Sequence, residues 1–352
     1  MLNIRRILRL ISIAGIALGG ISPQVCAQGC VAAHFMALSL GPDGVSQLQP
    51  GQWQAGLNLR YLYADEGWRG THPWPEYRTI VGNEITIIST DLQATYAFSS
   101  RVSATLTLPF MYGQTSNFAE HDGTRHVVKA GGLGDIRVVG NAWLFNPESH
   151  PTGNLSVGLG LKAPTGNEAA TDVYHKPAGP QVRPVDVSIQ PGDGGWGVML
   201  EVAGFRKFRG RIYGYMNGYY LISPREQNKA YTPVPIYGQV RNNSVADQYL
   251  ARVGLSCALP VARGLTLSVG GRINGIPRHD LVGGSEGFRR PGYAIYVEPG
   301  LSWTGERTTF GLFVPLRVDA NRQKNVYDVR NNGIGGGAFA SSLVVISLAR
   351  TF

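Results

Sequence analysis

Residues 339–352 read FASSLVVISLARTF. Counting back from Phe352, every second position includes Leu348, Ile346 and Val344, while the alternates include Thr351, Ser347 and Ser341. A strand with lipid on one side and a polar lumen on the other must change character with period two. A strand of a soluble sandwich alternates as well. The pattern therefore decides the fold only if the rest of the chain repeats it.

It is repeated. Trp53, Ala55, Leu57, Leu59, Tyr61 and Tyr63 alternate with Gln52, Gln54, Gly56, Asn58 and Arg60. Val102, Ala104, Leu106, Leu108, Phe110 and Tyr112 alternate with Ser103, Thr105 and Thr107. The same rhythm predicts strands near 85–97, 133–145, 154–163, 195–208, 211–222, 247–259, 264–275, 292–304, 307–319 and 339–352, about twelve in all. Short connections (near Ser99, then 146–153, 209–210, 260–264 and 305–306) alternate with long ones (64–84, 114–132, 164–194, 223–246, 276–291 and 320–338). Short turns at one end and long loops at the other define an all-β fold, a transmembrane antiparallel up-and-down β-barrel with both termini on the periplasmic side. A soluble sandwich has no reason to segregate its loops, and its strands average only about 5–6 residues.

Composition agrees. Of the 352 residues 16% are charged, against about a quarter in soluble domains. Glycine, at 47 residues, far exceeds its usual share of roughly 7%. No stretch beyond the start carries the roughly 20 consecutive apolar residues of a spanning helix. An exported chain built for lipid then has only the closed barrel left to it. Export is written in the first 27 residues: Arg5, Arg6 and Arg9, an apolar run over 10–21, and Val25-Cys26-Ala27 as a cleavage site. Loss of this signal peptide after Ala27 takes the formal charge from +9 to +6. Residues 28–50 follow as a periplasmic arm or plug, and 51–352 as the barrel. Cys30 fits poorly as a lipidated residue, because Ala27-Gln28-Gly29 lacks the leucine expected ahead of it. Spacing does not decide whether Cys30 and Cys257 pair.

The two faces of the strands separate cleanly. Outward sets such as Leu155, Val157, Leu159, Leu161 and Leu265, Leu267, Val269 are free of charge. The opposite parity holds Arg60, Asp91, Asp135, Arg137, Lys162, Glu201, Arg252, Arg272, Glu298, Arg317 and Asp319. A lysine or arginine facing lipid at mid-depth costs about 2–4 kcal/mol, so these eleven are expected to line the pore. Tyr112, Tyr220, Tyr293 and Trp303, near strand ends on the outward parity, are expected to form an interfacial girdle.

Three passages carry a family resemblance: Gly132-Leu133-Gly134-Asp135-Ile136-Arg137, then Gly158-Leu159-Gly160-Leu161-Lys162-Ala163-Pro164-Thr165-Gly166, then Gln190-Pro191-Gly192-Asp193-Gly194-Gly195-Trp196. Their order and spacing resemble a family of bacterial outer-membrane proteins named for the meta-cleavage pathway of phenol degradation. The resemblance covers about the whole mature barrel. It implies a channel, sometimes linked to aromatic compounds, and offers no catalytic residues. The ending on Phe352 also looks like the closing strand of outer-membrane barrels, which implies the barrel-assembly machinery as a partner; Arg350 departs from that pattern. Mechanically, the glycines suit strand-to-loop transitions, and Pro164 and Pro191 stiffen the base of the longest loop. That loop either punctuates the rim or folds inward as a constriction.

Other chemistry finds little support. Pro109, Pro299 and Pro315 lie inside predicted strands, where each removes a ladder hydrogen bond and marks a bulge or a weakened seam. His121, Asp122 and His126 lie in a polar loop and read as solvated rather than as a metal site. Ser256 and Ser302 have no histidine at matching depth, so no nucleophilic site is expected. The glycines of 333–337 do not lead from a strand into a helix, so no phosphate cradle is expected either. The basic loop residues Arg69, Arg78, Arg125, Lys129, Lys176 and Arg183 either meet anionic lipopolysaccharide or are simply solvated. The chain is thus expected to act without catalysis, cofactor, metal or nucleic acid. It would be an outer-membrane channel for passive uptake of small organic molecules, aromatic or hydrophobic ones first. The competing expectation is a structural or adhesive barrel with a closed lumen and partner-binding loops.

Overall fold

The computed structural model describes residues 48–80, 82, 84–118, 120–232, 239–333 and 335–352. The expected signal peptide, and the arm as far as residue 47, lie outside the described residues, as does Cys30. Twelve antiparallel staves close on themselves. They are β1 (Trp53–Ala64), β2 (Glu84–Ala97), β3 (Val102–Asn117), β4 (His126–Leu133 with Arg137–Trp143), β5 (Gly153–Lys162) and β6 (Gly197–Arg209). The circuit continues with β7 (Ile212–Ile222), β8 (Gln248–Ala258), β9 (Leu265–Ile276), β10 (Gly292–Thr304), β11 (Thr308–Phe313 with Leu316–Arg322) and β12 (Ser342–Thr351). β12 pairs with β1 from Gln54↔Thr351 to Tyr63↔Ser342, which closes the ring and removes both edges. The Phe352 N–H donates to the Trp53 carbonyl, tying the end of the chain to the start of the barrel.

Period-two alternation is what the sheet needs and what it uses. In β1, Leu57, Leu59 and Tyr61 are exposed on the outer face, while Asn58, Arg60 and Leu62 are buried inside. In β12, Leu348 is exposed, whereas Val345, Ser347 and Ala349 are buried. Of the expected girdle, Tyr112 and Trp303 are exposed, while Tyr220 and Tyr293 are half-buried. Among the described residues, no helix is long and apolar enough to cross a membrane.

The expected loop over 114–132 is mostly strand. β3 runs on to Asn117 and pairs with the first piece of β4, from Phe110↔Leu133 to Asn117↔His126. Thr115, Ser116 and Asn117 are polar on both parities, so the alternation fades although the ladder continues.

Both broken staves break opposite a proline. β4 leaves the ladder at 134–136, beside Pro109 of β3, whose carbonyl still accepts from Gly134 N–H at 2.7 Å. β11 breaks at Val314-Pro315, beside Pro299 of β10, whose carbonyl accepts from Val314 N–H at 3.0 Å. A proline cannot donate, so the neighbouring strand gains nothing by staying in register.

The longest connection, 163–196, turns back into the barrel. It carries a hairpin, Thr171–Lys176 with Gly179–Pro184, and a 3-10 turn, Val187–Ile189, capped by the Asp186 side chain accepting from Ser188 N–H. Val185 and Ile189 are fully buried in one apolar cluster with Leu62, Ile85, Ile87, Leu343 and Val345.

Candidate functional site: the barrel lumen

At mid-depth the lumen is crossed by a layer of buried side chains. Arg60, Asp91, Arg137, Arg252, Arg272 and Glu298 are all buried there, with Tyr215, Tyr219 and Phe313 between them. Their partners are specific. Arg137 pairs with Asp91 at 3.2 Å, and Arg60 donates to Ser89 Oγ at 2.5 Å. Glu298 serves two cations, accepting from Arg252 Nη2 through one oxygen and from Arg272 Nη1 at 3.3 Å through the other. The Arg252 guanidinium lies 5.2 Å from the Phe313 ring centroid and 5.8 Å from that of Tyr215. These rings fit because the facing positions are glycine. A Cβ on Gly270 would come within 2.5 Å of the Tyr215 hydroxyl, and one on Gly300 within 2.5 Å of Phe313.

Two cavities flank the layer. The one toward the short turns has a volume of about 230 Å³ and is lined by Gln54, Gln93, Thr95, Thr105, Asn141 and Glu201. The one toward the long loops, about 80 Å³, is lined by Asp135, Arg137, Lys162, Gln190, Gln248 and Phe288. Tyr219 lines both, and Arg137 lines the upper one, so the layer touches both cavities through these two side chains.

The three motif passages meet at one point in the wall, where β4 breaks. Gly134, Gly166 and Gly192 pack backbone against backbone: a Cβ on Gly166 would sit 2.7 Å from Gly192 Cα and 3.0 Å from the Gly134 carbonyl carbon. Asp135 accepts from Gly166 N–H at 3.0 Å and Asp193 N–H at 3.1 Å, and it pairs with Lys162 at 3.3 Å. Lys162 also pairs with Asp193. Thr165 Oγ1 donates to the Gly134 carbonyl at 2.8 Å and accepts from Ile136 N–H at 2.9 Å. This knot replaces the ladder bonds lost in the break, and it anchors both ends of the inward loop.

The residues expected to line the pore thus divide. Arg60, Asp91, Arg137, Arg252, Arg272 and Glu298 form the central layer, and Glu201 faces the lower cavity. Asp135 and Lys162 belong to the knot, at the edge of the upper cavity. Arg317 points inward at the loop end, donating to the Phe339 and Ala340 carbonyls at 2.9 and 3.0 Å and pairing with Glu66. Asp319 is a correction. The register slips between Ile295↔Asp319 and Tyr296↔Arg317, so Val318 bulges and Asp319 turns to the exposed outer face. A one-residue slip moves every following side chain across the sheet.

The histidines need a second correction. His121 is buried, not solvated, with its ring stacked on Tyr174 at 5.3 Å, and its Nδ1 accepts from His175 N–H at 3.0 Å. His126 stacks on His175 at 4.1 Å. Burial, with the charges of His126 and Lys176 nearby, lowers the His121 pKa to about 4. Among the described residues no group of histidine, cysteine and acidic side chains is arranged to hold a metal ion. Of the basic loop residues, Arg78 pairs with Asp65, Arg125 with Glu84, and Lys176 donates to the Glu120 carbonyl. Among the described residues Cys257 has no disulfide partner.

Sequence reasoning missed the aromatic half of the layer. Tyr215, Tyr219 and Phe313 sit on the inward parity; Phe313 stands out after Thr309 and Gly311, whereas Tyr215 and Tyr219 share the inner face of β7 with Tyr213, Asn217 and Leu221. It also missed Asp186, whose carboxylate takes a paired contact from Arg290 at 3.0 and 3.2 Å and latches the inward loop to the 277–291 connection.

No protein-family model and no curated protein matches the sequence. Solved structures do match in fold. An outer-membrane channel from Pseudomonas putida F1 aligns over 87% of this chain and 97% of its own, with a TM-score of 0.58 and 13% identity. A FadL homologue of Pseudomonas aeruginosa aligns over 94% of this chain and 99% of its own, at a TM-score of 0.45 and 10% identity. The toluene transporter TodX of P. putida aligns over 90% and 93%, at 0.40 and 11%. The first likeness shows the fold: a closed, antiparallel β-barrel.

Proposed function

We propose that the chain is an outer-membrane channel for passive uptake of small organic molecules, aromatic or hydrophobic ones first. The observation that carries this is the lumen itself, which holds two cavities that share the Tyr219 side chain as a wall. Selection would follow from bore, lumen charge and ring contacts, with the solute moving down its own gradient. The preference for aromatic solutes is supported by Tyr215, Tyr219 and Phe313 in the layer, and by the resemblance to the phenol meta-pathway family. Export through a signal peptide cleaved after Ala27, recognition of Phe352 by the assembly machinery and contact of the loops with lipopolysaccharide complete the reading. The eleven charged positions are taken as pore-lining with the exception of Asp319.

The test is single-channel conductance of the refolded mature protein in a planar bilayer, with and without residues 28–50. Discrete openings establish a pore, and larger ones after truncation make the arm a plug. A second reading, a structural or adhesive barrel with a closed lumen, draws on how completely the central layer is buried. Silence in both forms, from protein shown to be folded, would favour it.

A further inference from the structure

The central layer holds cations that its own acids do not satisfy. Arg252 and Arg272 stand directly opposite each other across the β8–β9 ladder, a like-charge placement that normally destabilises a sheet. Their side chains are 1% and 0% exposed. Glu298 is the carboxylate that both contact, and it leaves Arg252 Nε and Nη1 and Arg272 Nη2 buried without a hydrogen-bond partner. An unsatisfied buried donor on a charged group is expensive, so such a cluster calls for an acceptor that comes and goes. At this level four arginines face Asp91 and Glu298, which leaves the layer net positive.

The surroundings narrow the acceptor. Phe313 and Tyr215 flank the Arg252 guanidinium, and Tyr219, the residue shared by both cavities, lies among Arg60, Arg137 and Arg272. Planar N–H forks suit the two oxygens of a carboxylate, and the rings suit an apolar or aromatic body attached to it.

We propose that Arg252 and Arg272 form a binding site in mid-lumen for the carboxylate of a small organic anion, with Tyr215 and Phe313 against its apolar body. This rests on the reading of the barrel as a channel and deepens it to a substrate class. Glu298 is the placeholder that holds both guanidiniums in position between occupants. The upper cavity is lined by Arg137 and not by Arg252 or Arg272, so a carboxylate arriving from it meets Arg137 first and reaches the two deeper arginines as the layer rearranges.

The experiment is calorimetric titration of the detergent-solubilised mature protein with benzoate, its neutral isostere benzyl alcohol, and chloride. Wild-type protein is expected to bind benzoate at least about tenfold more tightly than either of the others. Arg252→Gln and Arg272→Gln are each expected to weaken benzoate by about tenfold or more, the scale of a charge-assisted hydrogen bond. Arg272→Lys, which keeps charge but loses the fork, should fall between. Retention of the heat-modifiable gel shift checks that each variant is a folded barrel. Equal binding of benzoate and benzyl alcohol, benzoate no tighter than chloride, or unaltered benzoate binding by both glutamine variants overturns the proposal. Flux of a neutral solute through wild-type protein in liposomes reads the channel function separately. Flux without benzoate preference sinks the site and spares the channel; benzoate binding without flux does the reverse.

Discussion

His121 shows how one side chain can be misjudged by its neighbourhood in sequence. It stands in a polar run, Glu120-His121-Asp122-Gly123, yet the Thr171–Lys176 strand folds over it and stacks Tyr174 on its ring. Nothing local announces a partner more than fifty residues away. The consequence is measurable. A base whose folded pKa lies below its unfolded value binds fewer protons when folded, so stability is lost as pH falls from about 6.5 toward 4. Glu120, whose burial raises its pKa to about 7, acts in the opposite sense, losing stability as pH rises from about 4.5 to 7. Imidazole NMR should therefore find His121 neutral at pH 5, and a titration near 6.5 would show it to be solvated after all. The glycines of the knot invite a second check at this scale. Gly166→Ala places a methyl against backbone that has nowhere to go. It should lower the thermal midpoint by several degrees and loosen the inward loop to protease; an unchanged midpoint and digest would mean that the contact is slack.

At the scale of elements, the sequence announced strands wherever polar and apolar residues alternate, and failed where the cause lies in the neighbouring strand. The ends of β3 and the start of β4 are polar on both faces, so period two vanishes while hydrogen bonding persists. The break in β4 lies opposite Pro109 across the ladder, and β4 read by itself does not reveal it; that in β11 lies opposite Pro299 but also carries its own Pro315, which the strand does announce. The inward loop was legible as an alternative only, since nothing in the sequence distinguishes the buried Val185 and Ile189 from Val173 and Val182, which are exposed. Their burial gives a prediction: Ile189→Ala should destabilise the loop by about 2–5 kcal/mol, the usual loss for a buried isoleucine. The Asp186–Arg290 latch adds to it. Burial alone would raise the Asp186 pKa, but Arg290 and the hydrogen bonds from Ser188 outweigh it and hold the carboxyl below its ordinary range. Arg290→Gln should raise the open probability in bilayer recordings. Identical gating in wild type and variant would remove the latch from the account.

For the whole molecule, the stave count, the closing pair and the separation of faces all followed from one repeated pattern, because a barrel in lipid asks the same thing of every strand. The pairing of charges did not follow, because partners such as Arg137 and Asp91 lie on different strands and meet only when register is set. Replacing Arg137 and Arg272 by alanine should shift selectivity toward cations, read as a displaced reversal potential under a salt gradient. An unmoved potential would mean that ions bypass the layer. Removal of Phe352 tests the other end of the argument: slowed assembly in cells, with normal refolding in detergent, is the expected outcome.

The apolar cluster beneath the inward loop has a last implication. Its members come from β1, β2 and β12 as well as from the loop, so the middle of the chain lies across the line where its two ends join. A ring of staves is weakest at the joint made last. Here that joint has an inner splint: Val185 and Ile189 share one buried cluster with residues on both sides of it, so whatever loosens the loop loosens the joint as well.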